Sequence, residues 1–370
     1  MIQNEAFLIE IAEKFYFKGT LKSVKPYGDG LINRTYLVTC EDENKKEIHY
    51  IMQAINHKVF AHPGQLMENI VRVTKYLQRQ EDDPRRVMHV CRAGEKKYYY
   101  RDNDGNYWRM YRFVEDSICL NLPEQPGDFY ECGFAFGRFQ KQLNNFPLKL
   151  LFQTIPHFHN TPLRYKALLK AEEEDICGRV KTAEKELSFF EKYKDFYSTL
   201  FKENSEGRLP YRISHNDTKM NNVLLDAKTR KALCVIDLDT IMLGFSVTDF
   251  GDAIRFGANT AAEDERDLSK VDFDLEQYRE FTSGYLTGSD GAFNDTEIML
   301  MPEGAKMMTL ECGMRFLTDY LSGDIYFKTT RDGHNLDRCR TQIRLVEKME
   351  ENWDSMKQTV SQYLKVGKNN

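Results

Sequence analysis

Apolar residues along the first fifteen or so positions recur at helical spacing. Phe7, Leu8, Ile11 and Phe15 share one face, which predicts an amphipathic helix over residues 4–17. From there to residue 115 the pattern is mainly that of strands. Two strand-like pieces flank Gly28-Asp29-Gly30, and Tyr50-Ile-Met-Gln-Ala-Ile55 reads as a third strand. A helix is expected over 63–79 and a polar loop over 80–86. Two or three further strands are expected in VMHVCRA, KKYYYRD and NYWRMYRFVE, with Asp102-Asn-Asp-Gly105 as a hairpin turn between the last two. After Ser117 the period turns helical. Phe129, Cys132, Phe136, Phe139 and Leu143 mark the core face of a helix over 128–143, in which Gly133 and Gly137 allow close packing. Residues 166–202 and 297–365 are mostly helical, the former with a charged, solvated face. The reading is an α+β fold, with a β-rich N-terminal lobe over residues 1–115 and a larger helical lobe over 116–370.

One stretch breaks the helical pattern. Val223 to Leu225 and Leu233 to Ile236 are short apolar runs, and Asp226 to Lys231 between them read as a turn. The resulting hairpin brings the segment before its first strand and the segment after its second to the same end. Asp217 and Asn222 thereby approach Asp237. The run His215-Asn-Asp217-Thr-Lys-Met-Asn-Asn222 has the His-x-Asp-x-x-x-x-Asn spacing of the protein-kinase catalytic loop. Phosphoryl transfer needs a carboxylate to orient and deprotonate the attacking hydroxyl, and oxygen donors that hold Mg²⁺ on the nucleotide phosphates. Asp217 suits the first role; Asn222 and Asp237 suit the second. Asp239 either binds a second Mg²⁺ or stabilises the loop. Asp249, within Asp249-Phe-Gly, precedes a helical pattern, so the metal role is assigned to Asp237.

Composition narrows the class. The formal net charge is −5 and no basic run is interleaved with aromatics, which argues against a nucleic-acid binder. Eight cysteines are scattered without a C-x-x-C pair, as expected of free thiols in a reducing compartment. The first residues are acidic and helical in period, unlike a signal peptide, and no apolar run has the length of a membrane span. A cytoplasmic monomer with no nucleic-acid or membrane partner is expected. His157 and His159 lack nearby acid or cysteine partners in the sequence and read as loop histidines.

The motifs YGDGLINRTYLV, HNDTKMNNVL, VIDLDTIMLG, DFGDAIRFGANTAAEDE, ECGMRFLTDYLSGDIYF and RTQIRLVEKME occur in this order. Together they resemble the aminoglycoside phosphotransferase and choline kinase group, small-molecule kinases of the two-lobed, protein-kinase-like fold, and most closely N-acetylhexosamine 1-kinases. The resemblance implies ATP as phosphoryl donor and Mg²⁺ as cofactor. It implies that Gly28, Asp29 and Gly30 cover the nucleotide phosphates, with Asn33 and Thr35 nearby; without it, the same glycines read equally as a hairpin turn. It places the adenine-binding hinge at Phe113, Val114 and Glu115, makes Asp249 a brace of the catalytic loop, and gives Thr240, Arg315 and Tyr326 to the sugar. Tyr326 is expected in the helical region that holds Arg315. Arg315 also stands four residues from both Glu311 and Asp319, the spacing of a surface ion-pair ladder. Gln53 departs from the pattern, since the third strand of this fold carries a Lys on the nucleotide phosphates. Either another basic residue serves, or metal and backbone hold the nucleotide. Without that Lys, Glu68 reads as a solvated surface acid. The expected reaction is phosphorylation of the anomeric hydroxyl of an N-acetylhexosamine (GlcNAc or GalNAc). The rivals keep the fold with an amino alcohol, aminoglycoside or plain hexose as acceptor, or make the chain a catalytically inactive nucleotide-binding protein.

Overall fold

Residues 34–41, R-T-Y-L-V-T-C-E, follow strand alternation closely: Tyr36, Val38 and Cys40 are buried, and the residues between them are not. They form one strand of a chain whose computed structural model describes residues 4–28, 32–95 and 97–364. In chain order the elements are α1 (Glu5–Ala12), β1 (Thr20–Pro26), β2 (Arg34–Glu41), β3 (Glu47–Ile55), α2 (Pro63–Leu77), β4 (Tyr100–Arg101), β5 (Tyr107–Arg112) and β6 (Ser117–Cys119). Next come α3 (Asp128–Leu143), α4 (Thr161–Glu174), α5 (Glu184–Glu191), α6 (Thr199–Ser205), β7 (Arg212–Ser214), β8 (Val223–Asp226), β9 (Ala232–Val235) and β10 (Met242–Gly244). The last are α7 (Ser246–Gly257), α8 (Leu275–Ser289), α9 (Asp295–Met299), α10 (Met301–Leu321), α11 (His334–Glu351) and α12 (Trp353–Ser361). The chain divides into two compact units. The first takes the chain up to Ile118, together with Asn145–Pro156 and Leu224–Met242; the second takes the remainder.

The first unit is built on an antiparallel sheet of order β1-β2-β3-β5-β4. Its core joins Leu8, Ile11, Ala12 and Phe15 to the inward residues of the strands, with Trp108 and Met110 at the centre. The indole N–H of Trp108 donates to Asp102 Oδ2 at 2.8 Å, so the β4–β5 turn is tied to the core it caps. Register sets Thr35 opposite Gln53 and Gln53 opposite Arg109. The two later segments are fastened by Asn69 of α2. This buried amide donates to Phe152 O (2.8 Å) and Ile241 O (3.1 Å) and accepts from Phe152 N–H (2.8 Å).

Two expectations need correction here. The first helix ends at Ala12 rather than 17, because the backbone tightens into Lys14 N–H to Ile11 O and Phe15 N–H to Ala12 O bonds. Phe15 still reaches the core, through a bridge to Ala93. VMHVCRA is not a full strand. One edge of β5 is shared: β4 takes its first two residues, and Val90 and its neighbours take the last three through Cys91 N–H to Met110 O (2.8 Å) and Arg112 N–H to His89 O (2.9 Å).

The second unit is helical. Phe129, Cys132, Phe136, Phe139 and Leu143 of α3 are all buried. Helices α3 and α8 approach until backbone meets backbone. A Cβ on Gly137 would stand 2.0 Å from Tyr285 O, and one on Gly284 would stand 2.0 Å from Tyr130 O. Helix α10 packs against α4, α7 and α11. Among the described residues, no helix is long and apolar enough to cross a membrane.

Neither helix can yield at such a contact without moving its whole face. Gly137→Ala should therefore cost at least the ~1–3 kcal/mol of ordinary overpacking, read as a lower midpoint of urea unfolding with an unchanged slope.

Candidate active site

The hairpin at the centre of the sequence reading is present. Strand β8 begins directly after Asn222, β9 ends two residues before Asp237, and Asp226 N–H donates to Lys231 O at 2.9 Å to close the turn. Asp226 is held to about 2, far below its ordinary value, by Thr229 N–H first and then by Arg85 at 3.0 Å. Asp237 itself is left-handed, at φ 56° and ψ 62°. Asp tolerates that region better than most residues, but it is sparsely populated and holds only where the surroundings fix it.

The turn that follows it is held within the first unit. Past Asp237 the chain makes a single 3₁₀ turn, Leu238–Thr240, and Asp239 in that turn is buried. Arg109 of β5 grips both of its oxygens, Nη1 on Oδ1 and Nη2 on Oδ2 at 2.9 Å. Asn33 Nδ2 adds a bond to Oδ2 at 2.7 Å. Arg109 Nε donates to Gln53 Oε1 (3.0 Å), and Gln53 Nε2 donates to Thr35 Oγ1 (3.0 Å). Burial opposes the guanidinium charge, but the Asp239 carboxylate outweighs it and holds the Arg109 pKa above its ordinary value. Thus Gln53 stands next to a buried arginine, which the sequence reading missed. Its signal was faint: a single charge between Trp108 and Met110, in a strand otherwise buried on both faces.

The other named positions of the first unit are distributed as follows. Gly28 has φ 67°, a backbone setting that favours glycine; Asp29 and Gly30 lie outside the described residues. Asn33 Oδ1 accepts from Asn56 N–H at 2.9 Å, so both ends of this amide are engaged within the protein. At the expected hinge, Phe113 N–H donates to His49 O (3.1 Å), Val114 O accepts from Ser117 Oγ (2.6 Å), and Glu115 faces His49 Nδ1 at 3.0 Å. The backbone N–H groups of Val114 and Glu115 carry no hydrogen bond among the described residues. Thr240 is buried in the turn beside Asp239. Glu68 is half-exposed and pairs with Arg72 one helical turn on.

In the second unit the loop that carries Asp217 is held from beneath. Asp249, buried in the first turn of α7, accepts His215 N–H (2.9 Å), Asn216 N–H (2.8 Å) and Gln140 Nε2 (2.9 Å). Thr218 N–H donates to Asp252 Oδ2 at 3.2 Å. The His215 ring is buried edge-on against Phe136 and Phe139. These bonds let Asn216 hold φ 63° immediately before Asp217. Asn222 Nδ2 donates to Asp217 O at 2.8 Å and lies 3.3 Å from its Oδ2, and Lys219 Nζ pairs with Oδ1 at 2.8 Å. The Lys219 pKa is raised: burial works against its charge, but Asp217 and Asp252 outweigh that. With its nitrogen on Asp217, Asn222 keeps its amide oxygen for another partner.

His159 also supports the loop, one ring nitrogen 3.1 Å from Asn216 O and the other 3.0 Å from Glu311 Oε1. Two acceptors require both ring nitrogens to donate, so the geometry selects the imidazolium. Burial disfavours that charge; Glu311 more than restores it and the pKa rises. Glu311 moves the other way: burial raises its pKa, and His159 and Thr161 bring it below the ordinary value. Glu311 is thus engaged elsewhere, and Asp319 is occupied in accepting the N–H groups of Ile325, Tyr326 and Phe327 (3.0, 2.8 and 2.9 Å). The surface ladder around Arg315 is therefore not formed. Arg315 lies against the rings of Tyr326 (5.8 Å) and Phe327 (5.4 Å). Tyr326 is not helical: α10 stops at Leu321, Gly323 and Asp324 take positive φ, and Tyr326 is exposed on the following loop. Arg164 of α4 adds a second guanidinium that feels the Arg315 charge, and its buried Nε has no hydrogen-bond partner.

Several solved structures share this fold. A microcompartment-associated aminopropanol kinase is 15% identical over 95% of this chain and 99% of its own, with a TM-score of 0.59. An amicoumacin kinase, solved with AMP-PNP and Ca²⁺, is 12% identical over 92% and 93%, with a TM-score of 0.57. A Plasmodium vivax ethanolamine kinase is 14% identical over 87% and 82%, with a TM-score of 0.55. The class is a protein-kinase-like α+β fold with a small antiparallel sheet and a larger helical part. Residues 23–281 match the profile of the APH phosphotransferase enzyme family, and the chain belongs to that family. It is a small-molecule kinase with a hydroxyl acceptor.

The His159–Glu311 pair gives a pH signature. The raised imidazole contributes stability that is complete below its ordinary value of 6.5 and lost as pH rises through the folded-state pKa. The lowered carboxylate contributes stability that is complete above its ordinary value of 4.5 and lost as pH falls through the folded-state pKa. The pair therefore supports the loop most between those two values. His159→Asn should flatten the fall in urea-unfolding free energy measured from pH 6 to 9.

Proposed function

We propose that this enzyme is an ATP- and Mg²⁺-dependent kinase that phosphorylates the anomeric hydroxyl of N-acetylhexosamines. The observation that carries the reaction type is the Asp217 carboxylate, held by Asn222 and Lys219 on a loop that Asp249 fixes. Asp217 would orient the anomeric hydroxyl and take its proton as the oxygen attacks the γ-phosphoryl group. Lys219 tempers the charge of Asp217 without removing its acceptor oxygens. The hinge N–H groups of Val114 and Glu115 suit an adenine edge.

The donor set fits a hard divalent cation. Asn222 has an amide oxygen to offer and Asp237 a carboxylate. Mg²⁺ takes hard oxygen ligands, usually one or two carboxylates together with substrate phosphates. Asn222 and Asp237 would hold Mg²⁺, and the chemistry supplied with it would be neutralisation of negative charge during phosphoryl transfer.

The acceptor assignment rests on the motif resemblance and on the surroundings of Arg315. A guanidinium beside Tyr326 and Phe327, near a second guanidinium from Arg164, offers hydrogen-bond donors and ring faces to a neutral, oxygen-rich ligand. A cationic amino alcohol or aminoglycoside would meet like charge there.

The test is ADP release with Mg-ATP against GlcNAc, GalNAc, glucose, galactose, choline and kanamycin, with the product examined for an acid-labile anomeric phosphate. Turnover on choline or kanamycin alone would overturn the acceptor. Asp217→Asn should fold normally and lose roughly 10²–10⁴-fold in kcat, the range of general-base catalysis; a near-normal rate would remove Asp217 from that role. Asp237→Asn should stay inactive at high Mg²⁺.

A further inference from the structure

The side chains of Arg109 and Asp239 are 1% and 6% exposed, and nothing in their arrangement is left over. Arg109 directs both Nη groups at Asp239 and its Nε at Gln53. Asp239 spends Oδ1 on Arg109 and Oδ2 on Arg109 and Asn33. A buried ion pair of this kind is poor insurance of stability, since well-packed apolar side chains of similar volume often serve as well or better. What it supplies is direction: a planar fork on a carboxylate admits one orientation. The carboxylate so oriented belongs to a single 3₁₀ turn that starts at Asp237, which is itself held in left-handed backbone. The charge of Asp237 also reaches Arg109 and adds to its stabilisation.

We infer that Arg109 is a positioning residue for Asp237, acting through Asp239, and that Asp239 is a clasp on the metal-binding turn rather than a second metal ligand. This rests on the proposed role of Asp237. The sheet register is part of the device. Gln53 on β3 aligns the Arg109 Nε from the neighbouring strand, so the third strand contributes orientation where a lysine would contribute charge.

The experiment compares the full-length protein with the double variant Arg109→Met/Asp239→Leu. It measures urea unfolding, Mn²⁺ binding in the presence of ATP by electron paramagnetic resonance, and the acceptor KM. The double variant should keep wild-type stability and acceptor KM. Its Mn²⁺ affinity should fall about 10- to 100-fold, the usual effect of losing a residue that orients a metal ligand. The bound Mn²⁺ stoichiometry should be unchanged. Wild-type Mn²⁺ affinity in the folded double variant would overturn the inference, as would the loss of one equivalent of bound Mn²⁺. Should the double variant not fold, Arg109→Lys carries the test, because it keeps the charge and loses the fork. Its Mn²⁺ affinity should fall several-fold, and an unchanged value would overturn the positioning role. A chain in which Asp237→Asn leaves Mn²⁺ binding untouched overturns the metal assignment itself, and with it this inference. That result differs from failure of the clasp alone, in which Asp237→Asn loses Mn²⁺ and the double variant does not.

Discussion

Everything around the proposed base depends on one buried carboxylate. Asp249 accepts two consecutive backbone N–H groups, from His215 and Asn216, together with the amide of Gln140. Consecutive N–H groups converge on one acceptor only when the backbone curls, and that curl carries the positive φ of Asn216. The loop is thus shaped by an acid in the first turn of α7, whose own position follows from the packing of α7 on α10. His159 and Glu311 add a second layer from α10 and the segment before α4. Removing the acid would strand buried N–H groups at about 1–3 kcal/mol each, so the loop would lose its shape before it lost its side chains.

The first unit follows the same plan with a different partner. There the acid is Asp239 and the donors are side chains, a guanidinium from β5 and an amide from Asn33. In each unit a carboxylate kept from solvent holds a short irregular segment that carries a second carboxylate, the one proposed to act in the reaction. Irregular backbone is what brings such groups to a ligand, and irregular backbone has no ladder of its own to keep its shape.

Local features were legible in the chain, and cross-sheet partnerships were not. The β8–β9 hairpin follows from two apolar runs and the turn formers between them. The α3 core face follows from its 3.6-residue period, and Gly133 and Gly137 announce the close approach of a second helix. Asp217 and Asn222 fall just before β8 and Asp237 just after β9, as the spacing indicates. Arg109 was hidden because its partner is 130 positions away and its meaning depends on register with Gln53. Tyr326 was read as part of the helical region that holds Arg315, although Ser322-Gly-Asp324 is a stop signal that the apolar residues after it obscure. The segment around Val90 was read as a strand because its alternation is real. Composition cannot show that the edge of β5 is divided between two short partners.

The discontinuity of the first unit has a consequence for how the chain comes together. Asn69 is satisfied by Phe152 and Ile241, and Arg109 by Asp239, so α2 and β5 wait for residues that leave the ribosome 83 to 172 positions later. Until about residue 242 has emerged, the nascent sheet carries a buried cation without its counter-ion and an amide without its acceptors. The sheet is therefore completed late in synthesis, although its strands are made first. A fragment ending near Ile118 would hold every strand of the large sheet and lack the acid that neutralises its interior. Such a fragment lacks part of its own interior and is not a complete folding unit.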